Sequence, residues 1–238
     1  MLEKLSIIIP CFNEEKTIIP VLNKVLNSIL TTIMEKEIIV VDDASTDRSR
    51  EMILEFSKNH SCIHLCTHEQ NLGKGACIQT ALTKLTGAIV IIQDADLEYD
   101  PKDYNTLLMP IVEGYADVVY GSRFVGNGPH RVLFYLHTLG NKFLTSLSNL
   151  FTQLNLTDME TGYKMFRKEI LDQINLREKR FGFEPEITAK VSRIKDIRIF
   201  EVGIAYYGRT YKEGKKITWK DGFRTIYCIL KYNLFQKR

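Results

Sequence analysis

Short runs of aliphatic and β-branched residues alternate with amphipathic stretches through the first half of the chain. Each run is followed by a turn rich in Asn, Asp, Gly or Ser and then by apolar residues at helical spacing. The runs that predict strands are LSIII (5–9), EIIVV (37–41), CIHLC (62–66), AIVII (88–92) and DVVYG (117–121). This repeated order of strand and helix predicts an α/β protein with a mostly parallel central sheet, covered by helices on both faces.

Helices are predicted between these strands from apolar spacing and from capping residues. Apolar residues between Ile18 and Ile29 fall on one helical stripe, and DASTD caps a helix over 47–58. NLGKG opens a helix that is expected to end at Gly87, and Pro101 opens the helix before the fifth strand.

The second half of the chain has a less regular pattern. The expected elements are a long helix over 131–154, a short strand in GYKMFR, a helix in EPEITAKVSRIK and one or two strands in IRIFEVGIAYYG. No linker rich in Pro, Gly or Ser and no sequence repeat divides the chain. We therefore expect one domain over 1–238, with halves of about 1–125 and 126–238.

A polar cluster follows each of the first four predicted strands, as PCFNEE, DDAST, NLGKG and QDADLE. Ligands bind beyond the carboxyl ends of strands in open parallel sheets, so these clusters are expected to meet in one crevice. The fourth cluster crowds Asp94, Asp96, Glu98 and Asp100 together, and like charges this close repel one another. A hard cation with oxygen ligands would relieve the repulsion, whereas the alternative is a solvated acidic turn before Pro101.

Composition places the chain among soluble globular proteins, with 45% hydrophobic and 26% charged residues. No apolar window approaches the length of a membrane-spanning helix, and the N-terminus MLEKLSIIIP lacks the form of a signal peptide. The five cysteines include no CxxC pair and are expected to be reduced thiols, so we expect a cytoplasmic protein. In CIHLCTH, Cys and His alternate along a predicted strand at about 6.6 Å spacing, too far apart to share one zinc ion.

The net charge of +3 hides a basic C-terminal segment. Residues 209–238 contain nine Lys or Arg against two acidic residues, which gives this segment +7 and the remainder of the chain −4. Its apolar residues fall near one helical side: Trp219, Phe223, Ile226, Tyr227, Leu230, Leu234 and Phe235. This pattern fits an amphipathic basic helix on an anionic membrane surface and equally a terminal helix docked on the core. A helical stripe of aromatics is not the platform that nucleic-acid binding uses, so no nucleic-acid partner is expected.

A carboxylate-bound cation beside Lys and Arg suits a polyphosphate ligand. The chain contains no GxxxxGK[ST] sequence, and NLGKGA is not GxGxxG. The motifs therefore favour neither an ATPase nor a dehydrogenase.

Five motifs in the first half, in this order, resemble those of the family 2 glycosyltransferases, which have the GT-A fold: SIIIPCFNEEKTI, IVVDDASTD, NLGKGACIQTAL, GAIVIIQDADLEYDP and VVYGSRF. The later motifs LTDMETGYKMFR, RFGFEPEITAKV and YYGRTYKEGKKITWKDG are similar to the polyprenyl-phosphate branch, the enzymes that resemble dolichol-phosphate mannosyltransferase. The resemblance covers nearly the whole chain, and the later motifs are the more specific ones.

The resemblance implies a donor site in the first half of the chain. Asp94-Ala95-Asp96 occupies the family's DxD position, which implies that Asp96 and Glu98 hold Mg²⁺ or Mn²⁺ while Asp94 assists at the ribose or the metal. Many relatives carry Gln at the position of Glu98. The nucleotide-binding stretches match at Pro10, Asn13, Glu14, Asp42 and Asp43. Taken alone, DDASTD is more often a helix cap than a base reader.

Basic residues complete the implied site. Lys74 is placed to approach phosphate, although an ordinary exposed lysine is the alternative. A loop that would close over the donor diphosphate is matched by Arg209, Lys212, Lys215 and Lys216. Arg123 and Arg131 match positions that the family associates with the acceptor phosphate, and the planar guanidinium suits that role.

The reaction that the resemblance implies is metal-dependent, inverting transfer of a sugar from a nucleoside diphosphate to a dolichyl or undecaprenyl phosphate. The donor stays open between GDP-mannose and a UDP-glucose-like sugar. Asp158 is expected to orient acceptor or sugar, whereas in a relative that glycosylates a sugar hydroxyl it would be the base. A non-catalytic nucleotide-sugar binding protein is the remaining alternative. The expected location is the cytoplasmic face of a membrane, as a peripheral enzyme or with a membrane protein partner.

Overall fold

The computed structural model describes residues 4–32, 34–126, 129, 131–132, 134–209 and 219–235. Its strands are β1 (Lys4–Cys11), β2 (Glu35–Asp42), β3 (Ile63–Thr67), β4 (Ile89–Ile92), β5 (Val118–Ser122), β6 (Lys164–Arg167) and β7 (Ile199–Gly203). Its α-helices are α1 (Ile18–Asn27), α2 (Ser49–Ser57), α3 (Lys74–Leu82), α4 (Tyr104–Val112), α5 (Tyr135–Thr152), α6 (Lys168–Leu171), α7 (Phe183–Val191) and α8 (Trp219–Leu230). A 3₁₀ helix (Pro101–Asp103) precedes α4, and a π-helical turn (Lys231–Phe235) follows α8.

The seven strands form one sheet in the order β3-β2-β1-β4-β6-β5-β7. All neighbours are parallel except β6, which runs antiparallel to both β4 and β5. The carboxyl ends of β1, β2 and β4 therefore lie at one edge of the sheet, where Cys11 is the register partner of Asp42. The α/β prediction with a mostly parallel sheet is confirmed.

Alternate residues along the central strands pack on opposite faces of the sheet. Ile7 and Ile9 enter one core with helices α1 and α4, whereas Ile8 enters the other with α3 and α7. Because the central strands are buried on both faces, they are continuously apolar rather than alternating, as parallel sheets require.

Two predicted helix boundaries differ from the structure by several residues. Helix α3 ends at Leu82 rather than at Gly87. Gly87 instead packs against β1, where its N–H donates to Ser6 Oγ at 2.9 Å and an added Cβ would lie 2.5 Å from that oxygen. Helix α5 begins at Tyr135 rather than at 131. The segment IRIFEVGIAYYG, predicted as one or two strands, contributes the single strand β7 to the sheet.

Candidate active site

A cavity of about 460 Å³ opens at the carboxyl ends of β1 and β4. Among the predicted site residues, its lining includes Pro10, Glu14, Asp43, Lys74, Asp94, Asp96, Glu98, Arg123 and Arg209. The convergence expected from four separate strand-end clusters is therefore observed in the folded chain.

The acidic turn, residues 94–98 after β4, is held in place by the buried Gln93. Its Oε1 accepts hydrogen bonds from the hydroxyls of Tyr104 and Tyr163, both at 3.0 Å. Leu97 has a φ of +64°, and the N–H of Glu98 donates to Asp96 Oδ1 at 3.1 Å. This tight turn brings the carboxylates of Asp96 and Glu98 to the same side.

Arg209 lies among three carboxylates contributed by distant parts of the chain. Its Nη2 is 3.0 Å from Asp96 Oδ2, its Nη1 is 3.2 Å from Glu14 Oε2, and its backbone N–H donates to Glu98 Oε1 at 2.7 Å. Burial, reinforced by Asp94 and Glu98, raises the pKa of Asp96 to about 7 despite the opposing effect of Arg209. The cluster thus has an excess of negative charge that one arginine does not compensate.

The donor set of this cluster fits a divalent cation. Asp94, Asp96 and Glu98 offer only carboxylate oxygens, which are the ligands that Mg²⁺ and Mn²⁺ prefer. Burial and the neighbouring carboxylates destabilise the ionised form of Asp96 and so raise its pKa. A bound cation would stabilise that ionised form.

Lys74 bridges the acidic turn and helix α7. Its Nζ is 2.8 Å from Asp94 Oδ1 and 3.3 Å from Glu184 Oε1. Burial alone would lower the pKa of Lys74, but these two carboxylates outweigh it and hold the pKa above its ordinary value. Lys74 is consequently a fixed cation in the cavity wall, not an exposed lysine.

Glu160, which the resemblance implies contacts sugar hydroxyls together with Glu184, lies in the same wall of the cavity. Burial and the nearby Glu184 raise its pKa to about 8, and its Oε1 is buried with no hydrogen-bond partner among the described residues. Lys164 and Arg123 lower the pKa of Glu160, but they do not outweigh the effect of burial. Glu160 is therefore expected to be protonated at neutral pH and able to donate a hydrogen bond.

Arg123 and Asp158 form a buried ion pair at the side of the cavity. Arg123 Nε lies 2.6 Å from Asp158 Oδ2 and its Nη2 lies 2.7 Å from Oδ1. Asn141 Nδ2 also donates to Oδ1 at 3.1 Å. Burial would raise the pKa of Asp158, but Arg123 lowers it below its usual range, so this carboxylate is a poor proton acceptor.

Arg131 lies outside the lining of the cavity and is bonded to the segment that precedes Arg209. Its N–H donates to the carbonyl of Tyr206 at 2.9 Å and its Nη1 donates to the carbonyl of Gly208 at 2.7 Å. The hydroxyl of Tyr206 in turn donates to Glu98 Oε2 at 2.7 Å. Arg131 and Arg209 are therefore both connected by hydrogen bonds to the acidic turn. Lys212, Lys215 and Lys216 lie outside the described residues.

The remaining predicted nucleotide-binding residues hold the loops around the cavity. Asn13 Oδ1 accepts the N–H of Thr46 at 2.8 Å. Asp43 accepts the N–H groups of Leu72 and Gly73 at 2.9 and 2.7 Å, and its Oδ1 lies 2.7 Å from His68 Nδ1. These bonds use Asp43 to fix the loop that carries Lys74. Asp42 differs, because its buried Oδ1 has no hydrogen-bond partner in the described part of the chain.

Several residues of the site carried little signal in the sequence. Tyr206, Gly162 and Arg180 line the cavity, but none of them was singled out from the sequence. Only the motifs that contain them, YYGRTYKEGKK, METGYK and RFGFEPE, marked their neighbourhoods.

The chain resembles known glycosyltransferases in sequence. A dolichyl-phosphate beta-glucosyltransferase of Trichomonas vaginalis is 29% identical over 215 residues, which cover 85% of this chain and 65% of that protein. The dolichol-phosphate mannosyltransferase of Pyrococcus furiosus is 26% identical over 232 residues, covering 96% and 64%. A dodecaprenyl-phosphate galacturonate synthase of Rhizobium johnstonii is 24% identical, covering 98% and 68%. The chain thus spans about two thirds of the length of these relatives.

The structure is similar to glucosyl-3-phosphoglycerate synthase from Mycobacterium tuberculosis, solved in complex with Mn²⁺, uridine diphosphate and phosphoglyceric acid. The TM-score is 0.73 at 20% identity, over 99% of this chain and 80% of that one. This likeness confirms the expected GT-A fold.

No helix within the described ranges combines the length and the apolar character needed to cross a bilayer. A sequence model of glycosyl transferase family 2 matches residues 6–174. Because that match covers well over half of the chain, the chain belongs to glycosyl transferase family 2.

Proposed function

We propose that this chain transfers a sugar from a nucleoside diphosphate to a polyprenyl phosphate, with inversion at the reacting carbon. The observation that carries the proposal is the carboxylate cluster of Asp94, Asp96 and Glu98 beside Arg209, in the wall of a 460 Å³ cavity. Relatives named as glycosyltransferases of dolichyl or dodecaprenyl phosphate support the acceptor class.

Asp96 and Glu98 would hold Mg²⁺ or Mn²⁺, and Asp94 would assist at the metal or the ribose. When bound, the metal neutralises charge on the diphosphate and so makes it a better leaving group. Similar folds solved with Mn²⁺ or Mg²⁺ and uridine diphosphate are compatible with this assignment.

Arg209 would stabilise the departing diphosphate from the same side. Its guanidinium is held by Glu14 and Asp96, so it is already aligned before a donor arrives. Lys212, Lys215 and Lys216 follow in sequence and would extend this positive surface over the donor. Lys74 would contribute a further fixed cation in the wall of the cavity.

The nucleotide would lie against the ends of β1 and β2, near Pro10, Asn13, Glu14, Asp42 and Asp43. The unpartnered Oδ1 of Asp42 supports a role in accepting a hydrogen bond from the base. That contact suits guanine and uracil alike, so GDP-mannose and UDP-glucose are the two donors to compare first.

The acceptor phosphate would attack without a strong general base. Its second pKa is about 6, so most of it is dianionic at neutral pH. Arg131 and the guanidinium of Arg123 would position it. Because Asp158 is committed to Arg123 and its pKa is lowered, its geometry supports an orienting role over the role of base for a sugar hydroxyl.

The sugar would face Glu160 and Glu184. A protonated Glu160 can donate to a hydroxyl while Glu184, held by Lys74, accepts from another. Two carboxyl groups on one wall would distinguish hexoses by the orientation of their hydroxyls.

A polyprenyl chain resides in a bilayer, so we propose that the enzyme works at the cytoplasmic face of a membrane. Helix α8 is docked on the core through Thr225, Cys228 and Ile229, a different face from the predicted stripe. Phe223 and Tyr227 of that stripe are exposed, at 67% and 52%, and remain available to a membrane surface. Glu178 secures the helix by accepting from Lys231 and Tyr232, both at 2.8 Å.

A donor screen tests this function. Purified protein, a polyprenyl phosphate in detergent and Mn²⁺ are incubated with GDP-mannose, UDP-glucose, UDP-galactose or UDP-galacturonate, and transfer of labelled sugar into the organic phase is followed. One donor is expected to give a lipid-linked product, which Asp96→Asn abolishes. Absence of product from every donor, with nucleotide still bound in calorimetry, would contradict the lipid-phosphate assignment.

A further inference from the structure

Helix α5 presents its polar side to the protein. Asn141 donates to Asp158 Oδ1 at 3.1 Å, Thr145 Oγ1 accepts the N–H of Met159 at 3.2 Å, and Asn149 Nδ2 donates to the carbonyl of Leu156 at 2.8 Å. Only Thr145 and Ser148 of this helix are fully buried. The side that packs inward therefore carries hydroxyl and amide groups, together with Leu147 and Phe151, which pack against the core.

The opposite side of α5 is apolar and exposed. At about 100° per residue, its exposed large apolar residues fall within an arc of about 100°. They are Tyr135, Leu136, Leu139, Phe143 and Leu150, between 51% and 77% exposed. The preceding Val132 and Phe134 are 89% and 66% exposed. An apolar arc of this extent, facing away from the core, indicates a surface that is covered in use.

The exposed charges along this segment of the chain are basic. No Asp or Glu occurs between Asp117 and Asp158, and Arg131 and Lys142 are exposed, whereas the charge of Arg123 is paired with Asp158. Lys142 is exposed on α5 itself. An apolar face with a basic border complements the acyl chains and head groups of an anionic bilayer.

The arc also stands next to the proposed acceptor site. Asn141 on the inner side of α5 touches the carboxylate that binds Arg123, and α8 packs against α5 with Phe223 and Tyr227 exposed. A lipid phosphate that reaches Arg123 from a bilayer lying against α5 would cross only the thickness of that helix, about 10 Å.

We propose that the outer face of α5 is the principal membrane-docking surface of this protein, inserting its apolar arc into the head-group region of an anionic bilayer. This inference rests on the proposed function, which supplies the membrane-resident acceptor. It differs from the assignment of membrane contact to the C-terminal helix, because α8 would then be a secondary contact beside α5.

Vesicle co-sedimentation tests the surface without any need for turnover. Vesicles of phosphatidylcholine with an equal part of phosphatidylglycerol are compared with phosphatidylcholine alone. The triple variant Leu136→Ser, Leu139→Ser, Phe143→Ser is expected to bind the anionic vesicles at least about tenfold more weakly than the native chain. The matched control is Ile29→Ser, Leu54→Ser, Tyr115→Ser, which removes exposed apolar side chains elsewhere and is expected to bind as the native chain does.

A second measurement excludes misfolding as the cause. Leu139→Trp is expected to shift its emission to shorter wavelength on anionic vesicles, and the triple variant is expected to keep native circular dichroism and nucleotide binding. Equal vesicle binding by the triple variant and the native chain would overturn the proposal. So would a native dimer in sedimentation that the triple variant converts to monomer, since the face would then be covered by a second copy.

The failure of this proposal is separable from failure of the proposed function. With a short, water-soluble prenyl phosphate as acceptor, the triple variant is expected to retain transfer while losing it on vesicles. Transfer by neither protein, with vesicle binding still dependent on α5, would contradict the function but leave the docking surface intact.

Discussion

Arg123 donates hydrogen bonds to both carboxylate oxygens of Asp158, from Nε at 2.6 Å and from Nη2 at 2.7 Å. The aspartate is fully buried, at 0% exposure. Such a pair is costly to break from one side, because the remaining charge is left buried. The same pair lies beside the cavity that we propose receives the acceptor phosphate, so its integrity affects both stability and activity.

Replacing Asp158 by Asn should lower the free energy of unfolding by ~3–5 kcal/mol, because Arg123 would lose its countercharge. Urea denaturation at neutral pH measures this. The exposed pair of Lys168 and Asp172 supplies the control, since Asp172→Asn should cost less than ~1 kcal/mol. Since the pKa of Asp158 is lowered, its contribution should persist above the ordinary aspartate range and disappear as the pH falls below it. Equal stabilities for the two variants would show that the pair contributes little.

Gly162→Ala should impair the site while leaving the fold intact. An added Cβ would lie 2.3 Å from Asp94 Oδ2 and 3.2 Å from Lys74 Nζ, so the Asp94 carboxylate would have to move. We expect kcat/KM to fall at least about tenfold, since misplacement of a charge near the leaving group is costly in rate. Gly140→Ala, in an open position of α5, should leave activity unchanged. An unaltered Gly162→Ala enzyme would show that Asp94 is not held in the orientation described.

Glu160 should make stability depend on pH in a predictable direction. Its pKa is raised to about 8 in the folded chain, so folding binds a proton that the unfolded chain releases near its ordinary pKa. Its contribution is present at low pH and is lost as the pH rises toward 8. Glu160→Gln should therefore gain stability relative to the native chain by about 3–4 kcal/mol between pH 5 and pH 8. Denaturation at several pH values across this range measures the difference in stability between the variant and the native chain, with the exposed Glu169→Gln as control. A difference that does not change with pH would show that Glu160 is ionised in the folded chain.

Arg209→Ala should reduce kcat by about 10²–10³-fold, because a preorganised cation would no longer meet the charge that develops on the diphosphate. Arg209→Lys should recover only part of this loss, since one ammonium cannot reach Glu14 and Asp96 in the same geometry. Steady-state kinetics with saturating donor measures both variants. Arg48→Ala, at the exposed N-cap position of α2, provides the control. A kcat that is unchanged in Arg209→Ala would remove this residue from the mechanism.

The sheet was predictable because parallel strands buried on both faces must be apolar throughout, and the runs at 5–9 and 88–92 satisfy this. The same argument predicted that Asp94, Asp96 and Glu98 would meet the polar turn that follows β1, since strand ends share an edge. Local pattern could not assign the end of α3, because Gly87 serves a contact with β1 that lies far away in sequence.

Side-chain partnerships across long sequence separations were beyond prediction. Glu14 and Arg209 are 195 residues apart, and only the folded chain brings them to 3.2 Å. Helix α5 illustrates a second limit, because periodicity locates an apolar stripe but does not say whether it faces core or solvent. In α8 the docked face was likewise formed by Thr225, Cys228 and Ile229 instead of the more apolar stripe.

The proposed transfer to a lipid phosphate is tested most directly by comparing two acceptors that differ only in the phosphate group. The donor that proves active is incubated with a polyprenyl phosphate and with the matching polyprenol, in the presence of Mn²⁺, and the organic-phase product is quantified. Product is expected with the polyprenyl phosphate and not with the polyprenol. This product should be lost on adding a chelator and in Asp96→Asn. Comparable transfer to the polyprenol would contradict the proposal, since attack by a hydroxyl requires the base that Asp158, bound to Arg123, does not supply.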